Sequence, residues 1–431
     1  MLISLRDRIA LFIQGSSIAN VVTLMSGSAS AQLLLVASSP LITRLYSPDD
    51  MGLLACIVSL ISISATGASG RYELAILLPA KDEEAINVTA LAVGLCLVLS
   101  ALALVLITLF YQLIIDGLNV RELGGWLYLV PLGTFLAGFY NVLTYLGLRH
   151  KEYHALAAAS IYRSVVLAGL SILLGLLKLG ANGLLISQLV SSLTASVRIA
   201  SSCLRLDGLV HIRFAELWRL ARRYSDFPKY NLIGTVANDL SFHLVSLFIL
   251  SAYSVATLGL YALVDRVLVA PMSIVGSAIG QVFIREASEE KRRTGSADLV
   301  FVSTLKRLMF AGVPIFAMLF VTADDLFATV FGESWRQAGQ YTRILLPMFF
   351  LRFVVMPLTA TYVVFEKQRG LLLWQITLLT TVIGICFVSW SLKLTVVAFL
   401  QCFSVNLSLY YLGLLVAMLR QSRGRGHACA R

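Results

Sequence analysis

A chain of 431 residues with 58% hydrophobic and only 13% charged residues, and a mean hydropathy of +0.85, is not a soluble globular protein, in which about a quarter of residues are charged. The net charge of +11 would suit nucleic acid if it were clustered. It also suits the Lys and Arg excess of cytoplasmic membrane loops, and its distribution along the chain supports that second reading.

The N-terminus imitates a secretory signal, with Arg6 and Arg8, an apolar stretch and the small-residue run Ser26–Ala31. Gln14 to Ser17 and Asn20 break the apolar stretch, however, and hydrophobicity continues to Ile42. We read an uncleaved first span preceded by a short amphipathic segment, 1–17, at the cytoplasmic surface. Hydrocarbon about 30 Å thick needs about 20 apolar residues per helix. Apolar runs of that length are expected at 18–43, 52–78, 86–111, 125–148, 155–177, 181–203, 229–251, 256–284, 302–322, 337–365, 370–391 and 394–419.

With the N-terminus inside, the cytoplasmic segments contain Lys81, Arg149, Lys151, Arg205, Arg213, Arg219, Arg222, Arg223, Arg285, Lys291, Arg292, Arg293, Lys367, Arg369 and the tail residues Arg420, Arg423 and Arg425. The opposite loops offer little beyond Arg44, Arg121, Lys178, Arg336 and Lys393. The bias alternates down the chain, so the spans are even in number and both termini are cytoplasmic. Nucleic acid is therefore not an expected partner.

Residues 204–228 interrupt the spans with apolar and basic positions at roughly helical spacing (Phe214, Leu217, Trp218 and Leu220 against Arg219, Arg222 and Arg223). That pattern suits a helix on the cytoplasmic leaflet. It separates an N-lobe, 18–203, from a C-lobe, 229–419, with a basic tail at 420–431. The lobes echo each other. One ungapped shift lays Gly27 on Gly234, Leu33 on Leu240, Ser39 on Ser246, Tyr46-Ser47 on Tyr253-Ser254 and Gly52-Leu53 on Gly259-Leu260. Six spans per half give corresponding helices the same direction, the arrangement of parallel repeats related by an axis along the membrane normal. Two such lobes suit alternating access.

The six cysteines are scattered singly, with no metal-ligand or redox spacing. No phosphate loop, nucleotide-binding domain or metal motif appears, so no cofactor is expected and any driving force comes from an ion gradient, the membrane potential or product removal. What stands out is charge inside the spans: Arg71, Glu73, Arg163, Asp239, Asp265, Arg266 and Arg352. An ionisable group at that depth costs at least about 2.5–3.5 kcal/mol on insertion scales and faces a partner or a watery cavity. Each admits a structural reading as well as a functional one. Arg71 and Glu73, two apart, do not share a helical face. Asp265 and Arg266, about 100° apart on a helix, can divide cavity and neighbour between them. Asp239 and His243, four apart, share a face and suit either a proton-responsive pair or a polar helix contact. Arg163 and Arg352 have no acid nearby in sequence.

Two stretches carry a resemblance. Tyr46-Ser47-Pro48-Asp49-Asp50-Met51-Gly52 and Arg71-Tyr72-Glu73-Leu74-Ala75-Ile76-Leu77-Leu78-Pro79 resemble the polysaccharide-export flippases of Gram-negative surface-glycan clusters. Phe227-Pro228-Lys229-Tyr230, Arg266 to Pro271, and Lys367-Gln368-Arg369 with Trp374-Gln375 continue it. The resemblance covers about the whole chain and places it in the multidrug/oligosaccharidyl-lipid/polysaccharide exporter superfamily. It implies an all-α integral membrane protein of about twelve transmembrane helices, in two six-helix lobes set as a V like the multidrug exporters of that superfamily. It also implies transport of an undecaprenyl-pyrophosphate-linked oligosaccharide, such as an O-antigen repeat unit, to the periplasmic leaflet of the bacterial inner membrane. A monomer in contact with membrane lipids, and with the polymerase and chain-length proteins of the pathway, is the expected working unit.

For such a cargo the lipid tail stays in hydrocarbon while the pyrophosphate and sugar need a hydrated groove. Arginine suits phosphate because its planar fork binds two oxygens and stays charged. Arg71, Arg163, Arg266 and Arg352 are the candidate cationic cavity, and Glu73, Asp239, His243 and Asp265 the coupling groups or counter-charges. The rivals are an ion-coupled multidrug exporter, against which the Arg71–Pro79 stretch argues, and a glycan polymerase or ligase, which would need a larger periplasmic loop.

Overall fold

The computed structural model describes residues 17–118, 121–203 and 214–424. The expected amphipathic segment before Ser17, the connector before Phe214 and the tail beyond Gly424 lie outside them. Among the described residues every regular element is helical. The long helices are α1 (Ser17–Leu45), α2 (Pro48–Ala68), α3 (Asp82–Leu118), α4 (Val130–Arg149), α5 (Tyr153–Leu176) and α6 (Ala181–Cys203). The short α7 (Phe214–Arg223) follows, then α8 (Leu232–Ala252), α9 (Val255–Thr294), α10 (Asp298–Phe331), α11 (Arg336–Leu358), the brief α12 (Thr361–Val364), α13 (Gln368–Ser391) and α14 (Val396–Ser422). Twelve of these stretches are long and apolar enough to cross a membrane.

The second expected span, 52–78, is corrected. Helix α2 stops at Ala68, and a 3-10 helix runs from Tyr72 to Leu77. Gly70 and Arg71 both take left-handed backbone (φ 61° and 63°), which ends the α-helix. For Arg71 that conformation costs roughly 1–2 kcal/mol, and its side-chain bonds, described below, offset it. Helix α9 exceeds its expected span in the other direction. Its 40 residues reach about 60 Å at 1.5 Å per residue, so its basic end stands beyond the hydrocarbon.

The echo between the halves extends to details of geometry. Lys151 and Glu366, closing α4 and α12, take φ of 58°, and Lys178 and Lys393, closing α5 and α13, take 57° and 48°. Each helix end is sealed the same way: Glu152 N–H donates to Gly147 O, Lys367 to Tyr362, Leu179 to Leu174 and Leu394 to Ser389. Left-handed backbone at non-glycine residues is uncommon, and the two pairs are separated by the same number of positions. The packing pairs repeat too, with α3 on α4, α4 on α6 and α5 on α6 matched by α10 on α11, α11 on α14 and α13 on α14.

Contacts draw the boundary differently from chain order. One unit holds the chain up to residue 45 together with 60–236; the other holds 46–59 together with 237 onward. In the first unit Leu220 and Tyr224, from the α7 region, join a core with Tyr72, Ile76, Val88, Cys96, Val142 and Ile199. In the second, the start of α2 crosses the start of α9 at backbone contact. A Cβ placed on Gly52 would lie 2.0 Å from the Val255 carbonyl oxygen, and one on Gly259 would lie 1.8 Å from that of Pro48. Both helices begin at a serine cap: Ser47 Oγ accepts from Asp50 N–H, and Ser254 Oγ from Thr257 N–H. Because the repeat pairs Pro48 with Val255 and Gly52 with Gly259, the contact is self-complementary, as in an isologous interface.

No side chain fits at either glycine without parting the two backbones. Gly52→Ala and Gly259→Ala are each expected to lower the thermal unfolding midpoint of the purified protein, at a cost of about 1–3 kcal/mol. Gly94→Ala and Gly169→Ala, with open space at the Cβ, are expected to be neutral or to gain about 0.5–1 kcal/mol. Equal behaviour of the two sets would refute the close-crossing account.

Candidate functional site

In the first unit the left-handed turn at Arg71 directs its side chain back across the 3-10 helix. Arg71 Nη1 lies 3.1 Å from Glu73 Oε1, and Nε donates to Asn231 Oδ1 at 3.0 Å. The separation expected for residues two apart on an α-helix does not apply, because neither residue is on one. Glu73 is buried and also accepts from Ser69 Oγ. Asn231 closes a single π-helical turn, Phe227–Asn231, so the Phe-Pro-Lys-Tyr stretch serves to place the acceptor for Arg71. Tyr72 Oη donates to the Ala221 carbonyl at 2.9 Å, and burial raises its phenol above the ordinary value, which keeps it a donor.

Arg149, counted in the sequence only as an orienting charge, is central here. Its Nη1 donates to the carbonyls of Ile76 (3.0 Å) and Pro79 (2.9 Å), and Nη2 and Nε both reach Asp82 Oδ1. It satisfies the end of the 3-10 helix, which no helical ladder could serve. Arg163 is elsewhere in this unit, with its guanidinium 5.3 Å from the centre of the Tyr140 ring. Stacking of this kind leaves the N–H edges of the fork available.

In the second unit His243, Asp265 and Arg266 come together around a cavity of about 200 Å³, with Met51, Ser59 and Tyr261 among its other walls. His243 Nδ1 is 3.4 Å from Ser59 Oγ. Asp265 and Arg266 both reach this cavity, since neighbours about 100° apart can line one wide space. Asp239, one turn before His243, accepts from Asn238 Nδ2 at 3.1 Å and acts on His243 electrostatically. Arg352 lies within electrostatic range of Asp265, Tyr261 and Tyr411. Its guanidinium covers the Phe242 ring at 4.4 Å. It also lines a second cavity of about 310 Å³ with Ser273, Ser277 and Phe353.

The structure thus gathers five of the eight sequence candidates (Asp239, His243, Asp265, Arg266 and Arg352) into one neighbourhood, and leaves Arg71 with Glu73, and Arg163 separately, in the other unit. Ser59 carried no signal in the sequence, and Arg149 only that of an orienting loop charge. Among the described residues no three His, Cys, Asp or Glu side chains come within metal-binding range of each other.

Arg149→Ala should leave two carbonyls and Asp82 unanswered and cost about 2–4 kcal/mol of stability, whereas Arg163→Ala, losing one ring contact, should cost about 0.5–1 kcal/mol. Thermal unfolding of the two purified variants side by side measures the difference.

Comparison with known proteins bears on this arrangement. A family profile described as polysaccharide biosynthesis protein matches residues 41–340, more than half the chain. No curated protein sequence gives a significant match. Among solved structures, the lipid II flippase MurJ in an inward closed conformation superposes with a TM-score of 0.76 at 11% identity, over 93% of this chain and 90% of that one. An inward-facing multidrug resistance MATE family transporter of the MOP superfamily gives 0.68 at 14% identity, over 91% and 94%. A MOP superfamily transporter from Pyrococcus furiosus gives 0.63 at 16% identity, over 95% and 97%. At such identities the likeness establishes the fold, the all-helical exporter fold anticipated from the sequence.

Proposed function

We propose that this chain, which belongs to the polysaccharide biosynthesis protein family, is a flippase. Its cargo in this reading is an undecaprenyl-pyrophosphate-linked oligosaccharide, such as an O-antigen repeat unit. The cargo passes from the cytoplasmic to the periplasmic leaflet of a bacterial inner membrane by alternating access. The observation that carries the reading is the pair Arg266 and Arg352, two cations at membrane depth on α9 and α11, each lining a cavity. A cation kept in such a place faces a partner or a watery cavity, and a pyrophosphate headgroup in that cavity is a fitting partner. Family membership directs the choice of anion toward a glycan carrier. The lipid II flippase of the same fold is a solved protein that moves a lipid.

In this mechanism the isoprenoid tail remains in the bilayer. Arg266 and Arg352 donate to phosphate oxygens, and Arg163 and Arg71 are secondary contacts, since Arg71 already serves Glu73 and Asn231. Asp265 weakens the hold of the cations when charged and strengthens it when neutral. Proton uptake by Asp265 or by the Asp239–His243 pair would therefore tie cargo affinity to a gradient. Both termini are cytoplasmic, the protein works as a monomer, and it hands its product to the polymerase and chain-length proteins.

Arg266→Glu and Arg352→Glu, made separately and compared at matched protein levels, are each expected to lower surface glycan by about tenfold or more, the effect of about 1.4 kcal/mol, with single repeat units trapped inside. Unchanged export in both variants would remove the cationic cavity. Efflux of drugs by the wild type, without flipping of a labelled lipid-linked glycan in vesicles, would favour the multidrug reading suggested by the MATE likeness.

A further inference from the structure

Charge brackets the apolar part of α10. Between Arg307 and Asp324 the helix carries sixteen residues, none of them ionisable. The distance from one to the other is about 26 Å at 1.5 Å per residue, close to the hydrocarbon thickness of about 30 Å. Both ends of the stretch therefore stand where hydrocarbon gives way to headgroups. Ala297 N–H donates to the Ser422 carbonyl, so the Lys306–Arg307 end shares a face with the end of α14, the cytoplasmic face in the proposed orientation.

The two ends differ in how their charges are answered. Asp324 pairs with Arg343, and Asp325 with Arg336 at 2.8 Å. Lys306 and Arg307 are exposed, and among the described residues neither makes an ion pair, hydrogen bond or ring contact. The nearest acid on α10 is Asp298, which accepts from Ser296 Oγ. Glu290, from the end of α9, is taken up by the Leu299 and Val300 N–H groups. A groove of about 770 Å³ runs from Lys306 along Leu305, Met309, Phe310, Val313 and Pro314. Thr304, Leu308 and Gly312 form the buried face of the helix, and Phe310, on the groove side, is 86% exposed. An unanswered cation thus stands at headgroup level with only apolar side chains beneath it. A zwitterionic headgroup would bring its own ammonium against that cation; an anionic one would not.

We propose that this groove holds an anionic phospholipid, supplied by the surrounding bilayer. Its phosphodiester accepts from the Lys306 ammonium, a charge-assisted hydrogen bond. Arg307, next along the helix, adds to the positive potential there, each such cation strengthening the attraction to anionic lipid. One acyl chain lies over Met309, Phe310 and Val313. The groove shares no residue with the cavities at Arg266 and Arg352, so its failure leaves the flippase reading untouched.

The test uses the full chain, purified in detergent and stripped of lipid. Native mass spectrometry and thermal unfolding follow the addition of dioleoyl phosphatidylglycerol, dioleoyl phosphatidylcholine, undecaprenyl phosphate or glycerol 3-phosphate. Phosphatidylglycerol is expected to bind about tenfold more tightly than phosphatidylcholine. K306Q/R307Q should lose that preference, and K306Q alone most of it. R292Q/R293Q, which removes the same charge from the exposed end of α9, should keep it. Equal binding of the two diacyl lipids by the wild type overturns the proposal. So does a preference that survives K306Q/R307Q, or one lost equally in R292Q/R293Q, which would show that net charge alone is read. Tighter binding of undecaprenyl phosphate than of phosphatidylglycerol would assign the groove to a carrier lipid and also refute it. Glycerol 3-phosphate binding as tightly as phosphatidylglycerol would leave the apolar groove without a part. Should the double variant not fold, K306Q against R292Q/R293Q decides.

Discussion

Hydrocarbon offers no water to answer a charge, so each ionisable group at depth must be answered by the protein. The structure does this differently at each arginine. Arg71 has an acid and an amide; Arg149 has carbonyls and an acid. Arg163 and Arg352 lie over aromatic rings, and Arg343 has a neighbouring aspartate. A ring answers a cation weakly, by about 0.5–2 kcal/mol, and leaves its N–H groups free. An acid answers it strongly and occupies them. That difference separates cations that hold the fold from cations left able to bind an anion.

The crossing of α2 and α9 sets where those cations stand. With backbone packed on backbone at Gly52 and Gly259, neither helix can slide or turn on the other without losing contact along both. Ordinary side-chain contacts tolerate such shifts; two glycines in apposition do not. The contact also explains why residues 46–59 belong with the second unit by packing although they lie early in the chain.

Much of this was legible in the sequence, because span number and repeat are properties of hydrophobic period and length. The end of α2 was not legible: Arg71 to Leu78 is as apolar as a helix, and only the two left-handed residues break it. Chain order suggested six spans in each lobe, but contacts depend on glycines whose meaning appears only when two helices meet. Of the site, Asp239, His243, Asp265, Arg266 and Arg352 stood out because charge is rare in such runs. Arg149 was hidden among loop cations, and its task depends on carbonyls freed by the unforeseen 3-10 helix. Arg343 and Asp324 lie nineteen positions apart, on different helices, so nothing in local pattern links them.

The repeat also explains why the charged cavity is one-sided. The shift that pairs Gly52 with Gly259 pairs Leu54 with Tyr261, Ala55 with Ala262, Val58 with Asp265 and Ser59 with Arg266. All eight of these latter residues line the same cavity, which runs from about 3 to about 10 Å below the crossing on each helix, since two to seven residues at 1.5 Å separate them from the glycines. A symmetric contact therefore delivers two equivalent wall segments, one apolar with a single hydroxyl and one bearing an acid and a base. Conserving the backbone relation while changing the side chains creates an electric asymmetry in a space whose geometry is nearly twofold. Two matched charged walls would double the desolvation cost of several kcal/mol per ion. One charged wall facing one apolar wall carries about half that cost and still presents an acid and a base to the space.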